Sequence, residues 1–103
     1  MTVKIFIKRH IQENKMDAAL SLLNQFRFAA MGQPGYIYGQ TLVNHYDPRS
    51  VTVVSTWQTV EDWIDWQESD ERARNEAQLE GMLEQPTQYE VYDVGAMLKK
   101  PQK

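Results

Sequence analysis

The stretch that decides the fold is residues 50–70, SVTVVSTWQTVEDWIDWQESD. A β-branched run ends at Trp57, and Thr59 then opens a segment with helical spacing. Val60, Trp63, Ile64 and Trp66 share one side of a helical wheel, with Glu61, Asp62 and Asp65 opposite, so the helix has one aromatic and one acidic face. Thr59 is placed to cap it, and Asp62 three residues on completes a variant of the capping box. All three tryptophans of the chain thus lie at a single strand-to-helix junction.

Working outward toward the N-terminus, residues 2–10 read as a strand whose apolar centre, Val3, Ile5, Phe6 and Ile7, suits a central position covered on both faces. A helix follows, with Asn14 as its N-cap. Met16, Ala19, Leu20, Leu22, Leu23, Phe26 and Ala30 form the broad arc of a helix laid on a sheet. Gly32, as a left-handed cap, and Pro34 stop it. Residues 35–46 make a second strand, with Gly39 as a bulge or a point of close approach. A four-residue turn, Asp47-Pro48-Arg49-Ser50, joins it as a hairpin to the strand at 51–57.

On the C-terminal side, Ser69 and Asp70 restart a helix expected to reach about Leu83, and Pro86 ends it. Residues 88–94 alternate as a fourth strand. The order β-α-β-β-α-β is the split βαβ pattern, an α+β ferredoxin-like fold with a four-stranded antiparallel sheet and helices on one face. One domain is expected over residues 1–95, with a tail at 96–103. The first and third strands carry apolar residues on both alternating sets, so the uncovered face calls for a homodimer closed sheet to sheet.

Composition narrows the function classes. The chain has 103 residues, 42% hydrophobic and 24% charged, with a net charge of -3. Its lysines and arginines are scattered apart from Lys99, Lys100 and Lys103, so nucleic acid is not an expected partner. With no cysteine there is no disulfide framework, thiolate catalysis or thiolate metal site. The opening residues lack a signal-peptide core and no run is long enough to span a bilayer, so a cytoplasmic protein without membrane contact is expected.

Trp57, Trp63 and Trp66 are candidates to line an aromatic pocket for a flat ligand, against the simpler reading of core packing, which suits Trp63 best. Phe26 and Tyr38 join them as candidate pocket residues, although Phe26 also fits the helical core arc. Tyr36, Tyr38, Tyr89 and Tyr92 also suit cross-strand pairing. His10 and His45 each sit at a strand end, and His45, between Asn44 and Tyr46, is the candidate base. Glu61, Asp65 and Glu68 imitate a metal comb but read as a solvated helix face, so no metal is expected. Glu71, Arg72, Arg74 and Glu76 read as surface ion pairs.

The combination of IFIKRHI, QPGYIYGQTL, VVSTWQTVEDWIDWQESDERA and YEVYDV resembles the antibiotic biosynthesis monooxygenase family of dimeric α/β barrels, over roughly residues 2 to 95. The resemblance is carried chiefly by PGY, S-x-W and the W-x-x-W-x-x-S that follows. It implies a cofactor-independent monooxygenase acting on a small aromatic such as a phenol, quinol or polyketide. The alternatives are a non-catalytic dimeric module binding a small ligand or protein and, more distantly, a haem-degrading enzyme. By resemblance, Trp57 stands at a pocket tryptophan of the polyketide oxygenases, Trp63 at a tyrosine, and Trp66 at the pocket tryptophan of the haem-degrading branch. The departures are equally specific. Val53 replaces an asparagine, the residues from Ile7 to Arg9 replace another, and Glu76 falls near the position of the haem-ligating histidine.

Overall fold

The parity of the first strand fixes the layering. In the computed structural model, which describes residues 1–95, Val3, Ile5, Ile7 and Arg9 of β1 (Val3–His10) are all buried, while Lys4, Phe6 and Lys8 point the other way. β1 pairs antiparallel with β3 (Ser50–Trp57) and β4 (Gln88–Asp93), and β3 pairs with β2 (Tyr36–Val43), giving the sheet order β2-β3-β1-β4. Ile7 lies opposite Val53 on one side and Tyr89 on the other, so the helix-facing surface is continuous across three strands.

Three α-helices cover that surface: α1 (Met16–Met31), α2 (Val60–Gln67) and α3 (Asp70–Glu80). Their apolar stripes bury against it in two clusters. One joins Val3, Ile5, Ile7 and Trp57 to Trp63 and Trp66, and the other joins Ile11 and Val51 to Ala19, Leu23 and Leu79. The α+β ferredoxin-like architecture expected from the sequence is the one found. Thr59 caps α2 by accepting from the Asp62 amide at 3.1 Å, and Ser69 caps α3 by accepting from the Arg72 amide at 3.2 Å.

Local departures have local causes. Asn14 does not cap α1: it lies within a short 3-10 turn, Glu13–Lys15, with non-helical dihedrals, and α1 begins after Lys15 without a side-chain cap. Gly32 ends α1 at φ -87°, in ordinary backbone space. The left-handed residue in this turn is Gly35, at φ 84°, where an added Cβ would run into the Asp62 side chain. The link between β2 and β3 is residues 44–49, longer than a four-residue turn. It is shaped by Asn44 Oδ1 accepting from the Tyr46 and Asp47 amides and by the Ser50 amide donating to the Asp47 carbonyl. α3 stops at Glu80, and Leu83 instead bridges to Ile11. The expected tail lies outside the described residues.

The opposite sheet face is mixed. Tyr38, Leu42 and Tyr92 are each about half exposed on it, with Lys4, Lys8 and Glu90 among them, and Phe6 meets Tyr92 edge-on at 5.3 Å. No helix among the described residues is long and apolar enough to cross a membrane.

Candidate active site

Between the sheet and the helices lies a cavity into which all three tryptophans project. Trp57 ends β3 fully buried. Its indole Nε1 donates to Ser55 Oγ at 3.0 Å, and Tyr36 packs edge-on against its ring at 5.3 Å. α2 supplies Trp63 and Trp66, three residues apart on its buried face, and the Trp63 ring lies 5.9 Å from that of Trp57. Leu23, Phe26 and Ala30 of α1 close the roof, and Ile7 and Val53 form the floor. These walls are apolar because each comes from the inward stripe of its element.

One end of the cavity is charged. Arg9 follows the parity of Val3, Ile5 and Ile7 and is therefore carried inside, where its Nη2 donates to Glu76 Oε2 at 2.7 Å. Arg72, Glu76 and Leu79 lie at i, i+4 and i+7 of α3, so the buried Leu79 marks the face from which the other two also point inward. Arg72 Nη2 reaches the same Oε2 at 3.2 Å and donates to Tyr89 Oη at 3.1 Å. Its guanidinium also lies over the Trp63 ring at 5.1 Å and the Tyr89 ring at 5.5 Å. Burial pushes the Arg9 guanidinium down from its ordinary value, opposed first by Glu76. Arginine nevertheless stays charged. At the β2 side, Arg27 Nη2 donates to Thr41 Oγ1 at 2.5 Å. Burial raises the Tyr36 phenol above its usual range, against the lowering influence of Arg27, so it stays protonated.

The free volume is about 50 Å³. That holds a few waters. A drug-sized ligand site occupies roughly 300 Å³ or more, so the walls must part to admit a ring system. The helical wall is the one able to move, since side-chain contacts, Arg9–Glu76, Arg72–Tyr89 and Arg27–Thr41 among them, hold it to the sheet whereas backbone ladders bind the strands together.

The structure brings Trp57, Trp63, Trp66 and Phe26 together at this cavity. It does not bring Tyr38 or His45 there. A register irregularity between Tyr36 and Tyr38 turns Tyr36 inward and leaves Tyr38 on the opposite face, 58% exposed. His45 is exposed in the β2–β3 loop, its ring edge-on to Tyr46 at 4.8 Å. Arg72 and Glu76, read from sequence as part of a surface set, instead join Arg9 in a cluster at the cavity, Arg72 buried and Glu76 partly so, while Arg74 is exposed as expected. Of the positions at which the sequence departs from the family pattern, Ile7, Arg9, Val53 and Glu76 line the cavity, while Lys8 between the first two points to the opposite face. Glu61, Asp65 and Glu68 are exposed, and no cluster suited to a metal occurs among the described residues.

Comparison with known structures agrees with this architecture. A conserved protein from Methanosarcina mazei superposes with a TM-score of 0.84 at 15% identity, covering 89% of this chain and 91% of that one. A Nitrosomonas europaea protein gives 0.86 at 12% identity, with 93% and 92% covered. SnoaB from Streptomyces nogalater, described as a cofactor-independent oxygenase, gives 0.81 at 10% identity, with 96% and 98% covered. At such identities the likeness establishes the fold alone. No protein of curated function matches the sequence. The model of the antibiotic biosynthesis monooxygenase family matches residues 2–77, the span holding the three tryptophans and the Arg9–Arg72–Glu76 cluster, and the chain belongs to that family.

Proposed function

We propose that the protein is a cofactor-independent monooxygenase acting on an electron-rich phenol, quinol or hydroxyanthrone-like ring. The observation that carries this reading is the convergence of all three tryptophans on one largely apolar cavity, where a flat ring gains stacking and dispersion. The ring lies against Trp57 and Trp66 once the helical wall has moved outward. Glu76 is the carboxylate lining the cavity, and both arginines contact its Oε2, leaving Oε1 outside those contacts. The same residue also lines an open groove beside Glu80 and Glu84, a route to solvent for a proton. Glu76 therefore replaces His45 as the proposed proton acceptor.

The ionised ring then passes an electron to O2 and recombines with the reduced oxygen. For a hydroxyanthrone CH2 carbon, one oxygen atom becomes the new carbonyl, and the other leaves as water with the two hydrogens of that carbon. The substrate supplies the electrons, so the reading calls for no bound cofactor. The protein contributes orientation and exclusion of bulk water. A haem-degrading role fits the residues poorly, because Glu76, near the position of the ligating histidine, is engaged by two guanidiniums.

Oxygen-electrode assays with hydroquinones and anthrones test the proposal. Uptake above the buffer rate, reduced at least tenfold in Trp66→Ala and Glu76→Gln, is expected. Uptake no faster than buffer, or unchanged in both variants, counts against it. Val53 in place of one family asparagine, and the lack of another from Ile7 to Arg9, favour the second reading, a non-catalytic module binding a small aromatic or a protein. Retained ligand in native mass spectrometry without oxygen uptake selects that reading.

The partner we propose is a second copy of the chain. Tyr38, Leu42, Phe6 and Tyr92 form a partly apolar sheet face that two copies bury against each other. Light scattering at micromolar concentration is expected to give twice the chain mass of 12.1 kDa, and the monomer mass refutes the dimer.

A further inference from the structure

The cavity is basic inside an acidic protein. Among its lining residues are Arg9, Arg27 and Arg72 against the single carboxylate Glu76, three positive charges and one negative, whereas the whole chain carries a net charge of -3. The imbalance is deep in the fold. The Arg9 and Arg72 side chains are 2% and 8% exposed. Two guanidiniums converging on one carboxylate oxygen leave an uncompensated positive charge where water solvates it poorly. One donor is also unmet: Arg9 Nε is buried without a hydrogen-bond partner. Arg9 lines the cavity that the tryptophans share, and a planar guanidinium with an idle N–H is suited to receive an oxyanion.

We propose that the cavity favours ligands carrying a negatively charged oxygen, an aromatic carboxylate or the ionised form of a ring hydroxyl, over neutral rings of the same shape. The ring occupies the tryptophan slot, and the oxyanion accepts from Arg9 Nε and neutralises the excess charge of the Arg9–Arg72–Glu76 cluster. Arg27, across the cavity at Thr41, adds a longer-range attraction. The inference rests on the reading of this cavity as the ligand site, and it fixes the chemical class that the site takes. It also gives Arg72 a positioning role: its contacts with Trp63 and Tyr89 hold the charged end of the cavity against the aromatic wall.

The wild-type protein provides the first test, with benzoate and benzamide as probes of one shape and two charges. Because every tryptophan lines the cavity, the indole N–H signals of Trp57, Trp63 and Trp66 in a nitrogen–proton correlation spectrum report occupancy directly. Benzoate is expected to shift all three and to bind roughly tenfold more tightly than benzamide, the difference a charge-assisted hydrogen bond supplies. The preference is expected to persist at high salt, because a buried contact is screened less than a surface one. Arg9→Met, which keeps the stem and removes the charge, is expected to equalise the two probes. Arg27→Met, at the less buried guanidinium, narrows the gap and serves if Arg9→Met does not fold. Equal shifts by both probes overturn charge selection and leave the cavity as a ligand site. Silence of all three indoles toward both probes overturns the inference together with the assignment of the cavity.

Discussion

Arg9 and Glu76, 67 residues apart in sequence, meet at 2.7 Å and tie the central strand β1 to the last helix, α3. Arg72 converges on the same carboxylate oxygen, so Glu76 is the counter-ion of two buried guanidiniums. Removing one partner of such a set costs far more than its net contribution suggests, because the charges left behind stay desolvated.

Glu76→Ala is therefore expected to lower stability by about 3–5 kcal/mol. Glu76→Gln, which keeps an acceptor oxygen, costs less. Arg74→Ala, on the exposed side of the same helix, stays within about 0.5 kcal/mol of wild type. Urea unfolding of the three variants measures this order. Equal small losses for Glu76→Ala and Arg74→Ala would mean that the cluster is solvated after all.

Trp57 offers a second comparison. Its side chain fills the core, and its indole N–H has Ser55 Oγ as acceptor at 3.0 Å. Trp57→Ala is expected to cost about 3–5 kcal/mol through the cavity it leaves. Ser55→Ala removes few atoms but strands a buried donor, for about 1–3 kcal/mol. In Trp57→Phe no donor remains, so adding Ser55→Ala to that variant costs markedly less than in wild type. The double-mutant cycle by chemical denaturation reads the difference as a coupling energy.

Period and capping made the architecture legible: the β-branched run to Trp57, the Thr59 and Ser69 caps, and the stripe of α1 gave the order of elements directly. The candidate site was legible in its apolar part, since Trp57, Trp63, Trp66 and Phe26 lie on inward faces that periodicity identifies. The charged part was missed because Arg72 and Glu76 at i, i+4 look like an exposed ion pair whichever face they occupy. The signal was present in two places. Arg9 sits on the same alternation as Val3, Ile5 and Ile7, and Leu79 lies three residues beyond Glu76 on the same helical face. Tyr38 could not be placed from parity alone, because the irregularity between Tyr36 and Tyr38 reverses the alternation locally. His45 lies away from the cavity, and nothing in a loop sequence says which end of the sheet the loop occupies.

Acid is expected to loosen the end of the fold where three segments meet. Glu84 accepts from Arg49 at 2.7 Å and lies 2.7 Å from His10 Nδ1, while His10 Nε2 lies 3.1 Å from Asp47. The Arg49 hydrogen bond first, and that of His10 after it, hold the Glu84 carboxyl below its ordinary value. A depressed folded-state value contributes stability that is present above the ordinary carboxylate range and lost as pH falls through the folded value. Melting temperatures from about pH 6 to about pH 3 are expected to fall less steeply in Glu84→Gln than in wild type. Parallel curves for the two proteins sink the assignment.

The close approach at Gly39 separates sterics from backbone strain. Gly39 lies on the helix-facing side of β2 with no positive φ, so alanine is free to adopt its backbone conformation. An added Cβ would instead collide with the Tyr36 hydroxyl, while Tyr36 Cζ at 3.4 Å and the Val54 carbonyl oxygen at 3.5 Å stand at about ordinary contact. Gly39→Ala is expected to cost about 1–3 kcal/mol by overpacking. Tyr36→Phe removes the obstructing oxygen. Gly39→Ala made in the Tyr36→Phe background should therefore recover most of that loss, a coupling visible in a denaturation cycle. Simple additivity of the two substitutions would place the strain elsewhere, in the β2–β3 ladder itself, because only a clash that depends on the Tyr36 hydroxyl disappears with it.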